Sequence, residues 1–245
     1  MPVLAAASQP RYAGLVLHLL ATALAFALPV QDVAADALAR RARSNARLVT
    51  EGVPVNAGLP VIESEAEARR PAAEEVAIRA LALLAVSMKG GGAPEREWRG
   101  FVTRYDLAAA FSPDEARFLA DPAPSEADRV AFSWRNEAAC TLLWAVGKAA
   151  MLERPERECD PEPVRAILKQ DRKAYLADVR LRPIGEILDQ ADRVYRYRWA
   201  LVDRQVGGQP VPPWLNPDIA MERHQALNWL VQNPMVPWDD VSLDT

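Results

Sequence analysis

The segment Ile187–Asp203 holds the densest pattern of groups able to do chemistry. On a helix, Asp189, Asp192 and Arg196 fall on one side at spacings of three and four. Asp189 with Arg193, and Asp192 with Arg196, are acid-to-base pairs in the favourable order. Two readings follow. One is a salt-bridged exposed helix face. The other is a pocket wall where Asp189 and Asp192 act as general acid and base, or as ligands to a hard cation. Tyr195, Tyr197 and Trp199 beside them fit packing or an interface.

Glu222 and His224 are two residues apart, so a helix points them in different directions. They cannot form the paired-histidine face of a zinc-protease helix. Glu222 shares a face with Ala226 and Trp229, while His224 lies with Leu227 and Asn228. A lone histidine here is read as a packing residue, with a catalytic base as the alternative. Arg135 and Glu137 sit beside Trp134 at the start of an apolar run. They read as a buried ion pair that sets helix packing, or as an anion-binding fork through Arg135. The acidic tail contributes Asp239, Asp240 and Asp244. With Trp238 and Val241 docked on the domain, these carboxylates would reach Arg196 or Arg223. The alternative is a weak metal cluster with Asp189 and Asp192, although the spacing is not that of a calcium loop.

Much chemistry is excluded. Gly90-Gly91-Gly92 lacks the Lys-Ser/Thr of a phosphate loop, and no Gly-x-Ser-x-Gly elbow occurs. Only two histidines, His18 and His224, are present, so no multi-imidazole site forms. Cys140 and Cys159 are the only cysteines and do not have zinc-finger spacing. Cys140 reads as a small core hydrophobe and Cys159 as a loop residue, and a bridge becomes an option in an oxidising compartment. No cofactor is expected. Lys plus Arg is 29 against 33 acids, a net charge of −4, which argues against a nucleic-acid surface.

The elements that must position these groups are helical. Period-two runs of β-branched and aromatic residues are nearly absent, whereas helix stop and start signals are frequent. Helices are expected over Gln31–Glu51, from Ser64 to the triple glycine, over Glu95–Ala110, and from Ser112 to before Pro122. Others run from Ser125 through Ala145, over Val164–Asp171, over Pro183–Val206, and from Asn216 through Leu230. Ser64 with Glu67 is a capping box, although Pro71 interrupts the pattern behind it. Gly90-Gly91-Gly92 is the best linker candidate. The expectation is a soluble all-α protein, a single domain of about eight helices over residues 36–245, behind an apolar appendage at 1–35.

That appendage contains the apolar run Ala13–Leu28, too short for a stable membrane span. A cytoplasmic protein with a packed N-terminal helix is the first reading. The alternative is a signal peptide cleaved after about residue 27 or 35, hence export.

Several stretches together carry a resemblance. They are EGVPVN at Glu51–Asn56, LPVIESEAEA at Leu59–Ala68, FSWRNEAACTLLWAVG at Phe132–Gly147, ILDQADRVYRYRWALVD at Ile187–Asp203, ERHQALNWL at Glu222–Leu230 and WDDVSLDT at Trp238–Thr245. The chain from about Arg40 onward resembles the bacterial domain-of-unknown-function family 4272. The resemblance implies a single helical domain and brings no activity. Function is therefore carried as two expectations. The first is a non-catalytic binding or scaffold protein, meeting a protein partner through the Trp/Tyr/Arg-rich C-terminal third. The second is a hydrolase using Asp189, Asp192, Glu222 and His224. Ligand candidates are Arg135, Glu137, Tyr195, Arg196, Trp199, Arg223 and Asn228.

Overall fold

The computed structural model describes residues 34–245. The apolar run and the cleavage site after about residue 27 lie outside the described residues, whereas the site after about residue 35 falls at the first turn of α1. Every regular element among the described residues is helical, as expected. In chain order these are α1 (Ala35–Thr50), α2 (Ala73–Gly90), α3 (Glu95–Tyr105), α4 (Pro113–Ala120) and α5 (Glu126–Ser133). They continue with α6 (Arg135–Ala145), α7 (Glu162–Leu168), α8 (Arg172–Leu176), α9 (Ile184–Val206) and α10 (Pro217–Val231), then a 3-10 turn at Trp238–Asp240. No helix among the described residues is long and apolar enough to cross a membrane.

Local signals place most of the boundaries. Ser112 accepts from the Glu115 N–H while Glu115 accepts from the Ser112 N–H, so the capping box opens α4 with Pro113 in its first turn. Asn216 accepts from the N–H groups of Asp218 and Ile219 and opens α10.

Four boundaries differ from expectation, each for a physical reason; α3 ends at Tyr105 and not Ala110, because Asp106 takes a left-handed φ of 51° that closes the helix. The Ser64–Glu67 box forms its hydrogen bonds but caps only a single turn. Pro71 disfavours helical backbone at Arg70, so α2 starts at Ala73. The expected helix from Ser125 to Ala145 breaks at Trp134 into α5 and α6. The short α8 had no apolar period of its own and is set by an Asp171 cap.

The triple glycine is a packing device more than a linker. A Cβ on Gly90 would lie 2.5 Å from the backbone nitrogen of Ser133. Glycine thus lets the end of α2 touch the α5–α6 break backbone to backbone. Gly92, at φ 81°, then turns the chain out of the helix.

The main core packs α2 and α6 against each other, with α10 on α6 and α9 on α10. Ala80, Leu84, Ala138, Leu142, Leu188 and Leu227 are fully or almost fully buried there. A second cluster joins α1 to α9 through Leu48, Tyr197 and Leu201. A third gathers Val86, Trp98, Phe118 and Leu119 around α3 and α4.

Cys140 on α6 is bonded to Cys159, and their Cα atoms are 6.3 Å apart. The bridge ties the segment 149–163 onto α6. Closing a loop of this size stabilises by about 3 kcal/mol in the chain-entropy picture. This strap is also held by backbone contacts to charged side chains. Arg182 donates to the carbonyls of Ala149 and Ala150, and the Asn216 N–H donates to the Pro155 carbonyl.

Candidate functional site

Helix α10 buries Glu222, Arg223, His224 and Gln225 in succession, against the rule that such residues stay outside. Charges this deep must be paired. Their partners come from the first turn of α6. The Arg135 Nη1 donates to Glu222 Oε1 at 2.8 Å and to Gln225 Oε1 at 2.7 Å. Glu137 Oε2 accepts from Arg223 Nη2 at 3.0 Å and from Nε at 3.2 Å. Two oppositely oriented ion pairs therefore cross one helix interface.

Each pair extends outward. Gln225 Nε2 donates to the Trp238 carbonyl and fastens the tail. Arg223 Nη1 donates to the Glu153 carbonyl, and the Cys159 N–H donates to Glu137. The strap is thus moored to a buried carboxylate and a buried guanidinium. Burial pushes the Glu222 carboxyl above the usual carboxylate range, and the Arg135 charge offsets part of that. Arg135 is the most open member, with 22% of its side chain exposed.

Asp189, Asp192, Glu222 and His224 are held in separate partnerships. Asp189 does not pair with Arg193. It accepts from Arg43 at 2.7 Å and from Arg40 at 3.3 Å, because α1 lays both arginines across it. Asp192 does pair with Arg196, through bonds of 2.7 and 2.9 Å. That pair is buried, with side chains 1% and 2% exposed, so the exposed-face reading is corrected. Arg196 also reaches the Pro60 carbonyl, fixing the loop between α1 and α2.

His224 is fully buried, and its ring lies at 30° to that of Tyr195 with centroids 5.9 Å apart. Asn228 Nδ2 lies 3.0 Å from His224 Nε2, which makes that nitrogen the acceptor in the neutral ring. Asn228 also donates to the Ser242 carbonyl. Burial, with Arg198 adding, pushes the imidazole down to about 3. Such a group is a packing histidine and not a base poised near neutrality.

The tail docks through buried Trp238 and Val241, as expected. Its acids do not reach Arg196 or Arg223, which are enclosed in their own pairs. Asp239 accepts from the Asp114 N–H at the start of α4 instead, while Asp240 and Asp244 are exposed. No group of three or more His, Cys, Asp and Glu residues among the described residues could hold a metal ion. Of the aromatic candidates, Tyr195 and Trp199 are half-buried, and Trp199 packs on the α1–α9 cluster.

A cavity of about 510 Å³ was not legible in the sequence. It opens under the α5–α6 break, between α2, α3 and α7. Met88, Phe101, Trp134, Val164 and Leu168 form its apolar wall, and Ser87, Asn136, Glu137 and Glu158 its polar edge. Among the described residues no basic side chain lines it. The triple glycine was its sequence signal, since Gly91 and Gly92 form part of the rim.

The Glu137–Arg223 pair predicts a specific stability pattern. Glu137→Ala and Arg223→Ala should each cost about 3–5 kcal/mol in urea denaturation, because each strands a buried charge. The double change to Met at both positions should cost less than either. Equal additive losses would show that the charges do not depend on one another.

His224 predicts an acid limb. Unfolded, it binds a proton below about 6.5, whereas the folded ring stays neutral until about 3. Its contribution is therefore complete above that range and is lost as pH falls through it. The stability advantage of the wild type over His224→Gln should shrink by roughly 1.4 kcal/mol per pH unit below pH 6.5. A difference that is flat with pH, by urea denaturation, would remove this account.

No curated protein and no solved structure matches this chain. The family model for the domain of unknown function DUF4272 matches residues 40–241, most of the chain, and the protein belongs to that family.

Proposed function

We propose that this protein is a non-catalytic binding protein whose ligand enters the cavity under the α5–α6 break. The observation that carries the reading is the lining of that cavity. Its volume, about 510 Å³, is within the range of small-molecule sites, and apolar and aromatic walls with a few polar groups are their usual make-up. Glu158 is exposed on the edge and Glu137, paired with Arg223, lies behind it, and among the described residues no Lys, Arg or His lines the cavity. A small aromatic or aliphatic amine suits such a site, its apolar part against Trp134 and Phe101 and its ammonium toward Glu158. The Trp, Tyr and Arg residues of the C-terminal third are less suited to a protein interface, since Tyr197, Arg196, Arg223, Trp229 and Trp238 are buried.

Calorimetry with phenethylamine and with its carboxylate isostere 3-phenylpropionate tests this. The amine should bind and the carboxylate should not. Trp134→Ala should weaken the amine by at least about tenfold, or about 1.4 kcal/mol. Equal binding of both compounds, or an unchanged affinity in the variant, would sink the reading.

Export is part of the same proposal. The Cys140–Cys159 bridge supports an oxidising compartment, and the signal-like run Ala13–Leu28 supports a route to it. Protein taken from its native host without reductant should show no free thiol in denaturant, and its N-terminus should begin beyond Leu28. Two titratable thiols and an intact N-terminal run would place it in the cytoplasm.

A further inference from the structure

A second groove lies between α1, α9 and the strap, and unlike the first it has arginines in its walls, namely Arg47, Arg154 and Arg193, set among the carboxylates of Glu153, Glu186 and Asp189. It encloses about 440 Å³, with Arg47, Trp144, Leu152, Glu153, Arg154 and Arg193 among its walls. Arg193 is half-buried, and among the described residues it forms no ion pair. Its one side-chain bond runs to Gln190 at 3.4 Å, and its Nε has no partner. Burial weakens its hold on the proton, and the neighbouring Arg47 charge adds to that.

The neighbouring carboxylates other than Glu153 are already engaged. Glu51 accepts from Arg47 at 2.8 Å and from the Tyr197 hydroxyl, and Asp189 is shared by Arg40 and Arg43. Glu186 faces Arg182. Arg193 is thus a desolvated cation with open donors beside a second cation, in a groove with an apolar floor. A cation in that state gains most from an incoming oxyanion, because the guanidinium fork can hold two oxygens at once.

We propose that this groove binds the carboxylate or phosphate end of a small organic anion, seated on Arg193 and flanked by Arg47 and Arg154. Trp144 and Leu152 meet the organic part. Glu153, the carboxylate of the lining without an ion pair among the described residues, opposes the ligand and, with Glu186 and Asp189, sets an upper limit on its affinity. The site is independent of the amine cavity.

Calorimetry of the full chain with benzoate and with phenyl phosphate tests the proposal and separates the two headgroups. At least one should bind at millimolar concentration. Arg193→Gln should weaken it by about tenfold or more, while Glu153→Gln should tighten it by about threefold. Absence of binding by both probes overturns the site, as does an Arg193→Gln affinity equal to that of the wild type. If Arg193→Gln does not fold, exposed Glu153 and half-buried Arg154 decide. Glu153→Gln must tighten and Arg154→Gln must weaken the anion, and unchanged affinity in both overturns the proposal.

Discussion

The crossing of α6 and α10 organises the rest of the molecule. Arg135 and Glu137, two residues apart on one helix, meet Glu222 and Arg223, adjacent on the other. A buried ion pair contributes little net stability, because desolvation offsets most of the attraction. Either charge left alone in the interior is far worse. The arrangement therefore tolerates few alternatives. A shift of α10 along α6 by one turn would strand four charges, so the pairs act on register where apolar contacts alone would allow sliding.

From that crossing the constraint passes outward along two routes. Gln225 and Trp238 bring the tail back over α2, where the Arg79 guanidinium lies 4.4 Å from the Trp238 ring and pairs with Glu115 of α4. Arg223 and Glu137 hold the strap, and the disulfide holds it again from Cys140, three residues beyond Glu137. The strap has no regular structure of its own before α7. It keeps its course because buried charges bind its backbone groups. Its two sides then differ. Toward the cavity under the α5–α6 break it contributes Glu158, and toward the α1–α9 groove it contributes Glu153 and Arg154. One short segment thereby borders two recesses, one edged by carboxylates and the other by arginines and carboxylates together.

The sequence reading carried the helical class, the family and the positions of most helices, because capping residues, Pro and Gly act within a few residues of themselves. It also carried the i,i+4 bond between Asp192 and Arg196, which depends on helix periodicity alone. It erred at Asp189, where a helix distant in sequence offered two arginines in place of the one a turn away. It could not distinguish an exposed charged face from a buried one, since the i,i+4 pattern is the same in both.

By itself, then, the sequence determined most of the helical segments and that Trp238 and Val241 would anchor the tail, since both follow from local pattern and apolar content. The tertiary structure alone decided which charges meet, that Cys140 bonds Cys159, and where the recesses lie. Those outcomes depend on pairings across long stretches of chain, such as Glu137 with Arg223 and Gly90 with Ser133. No local rule encodes such distances, and only the packing of α2, α6 and α10 brings these groups within reach.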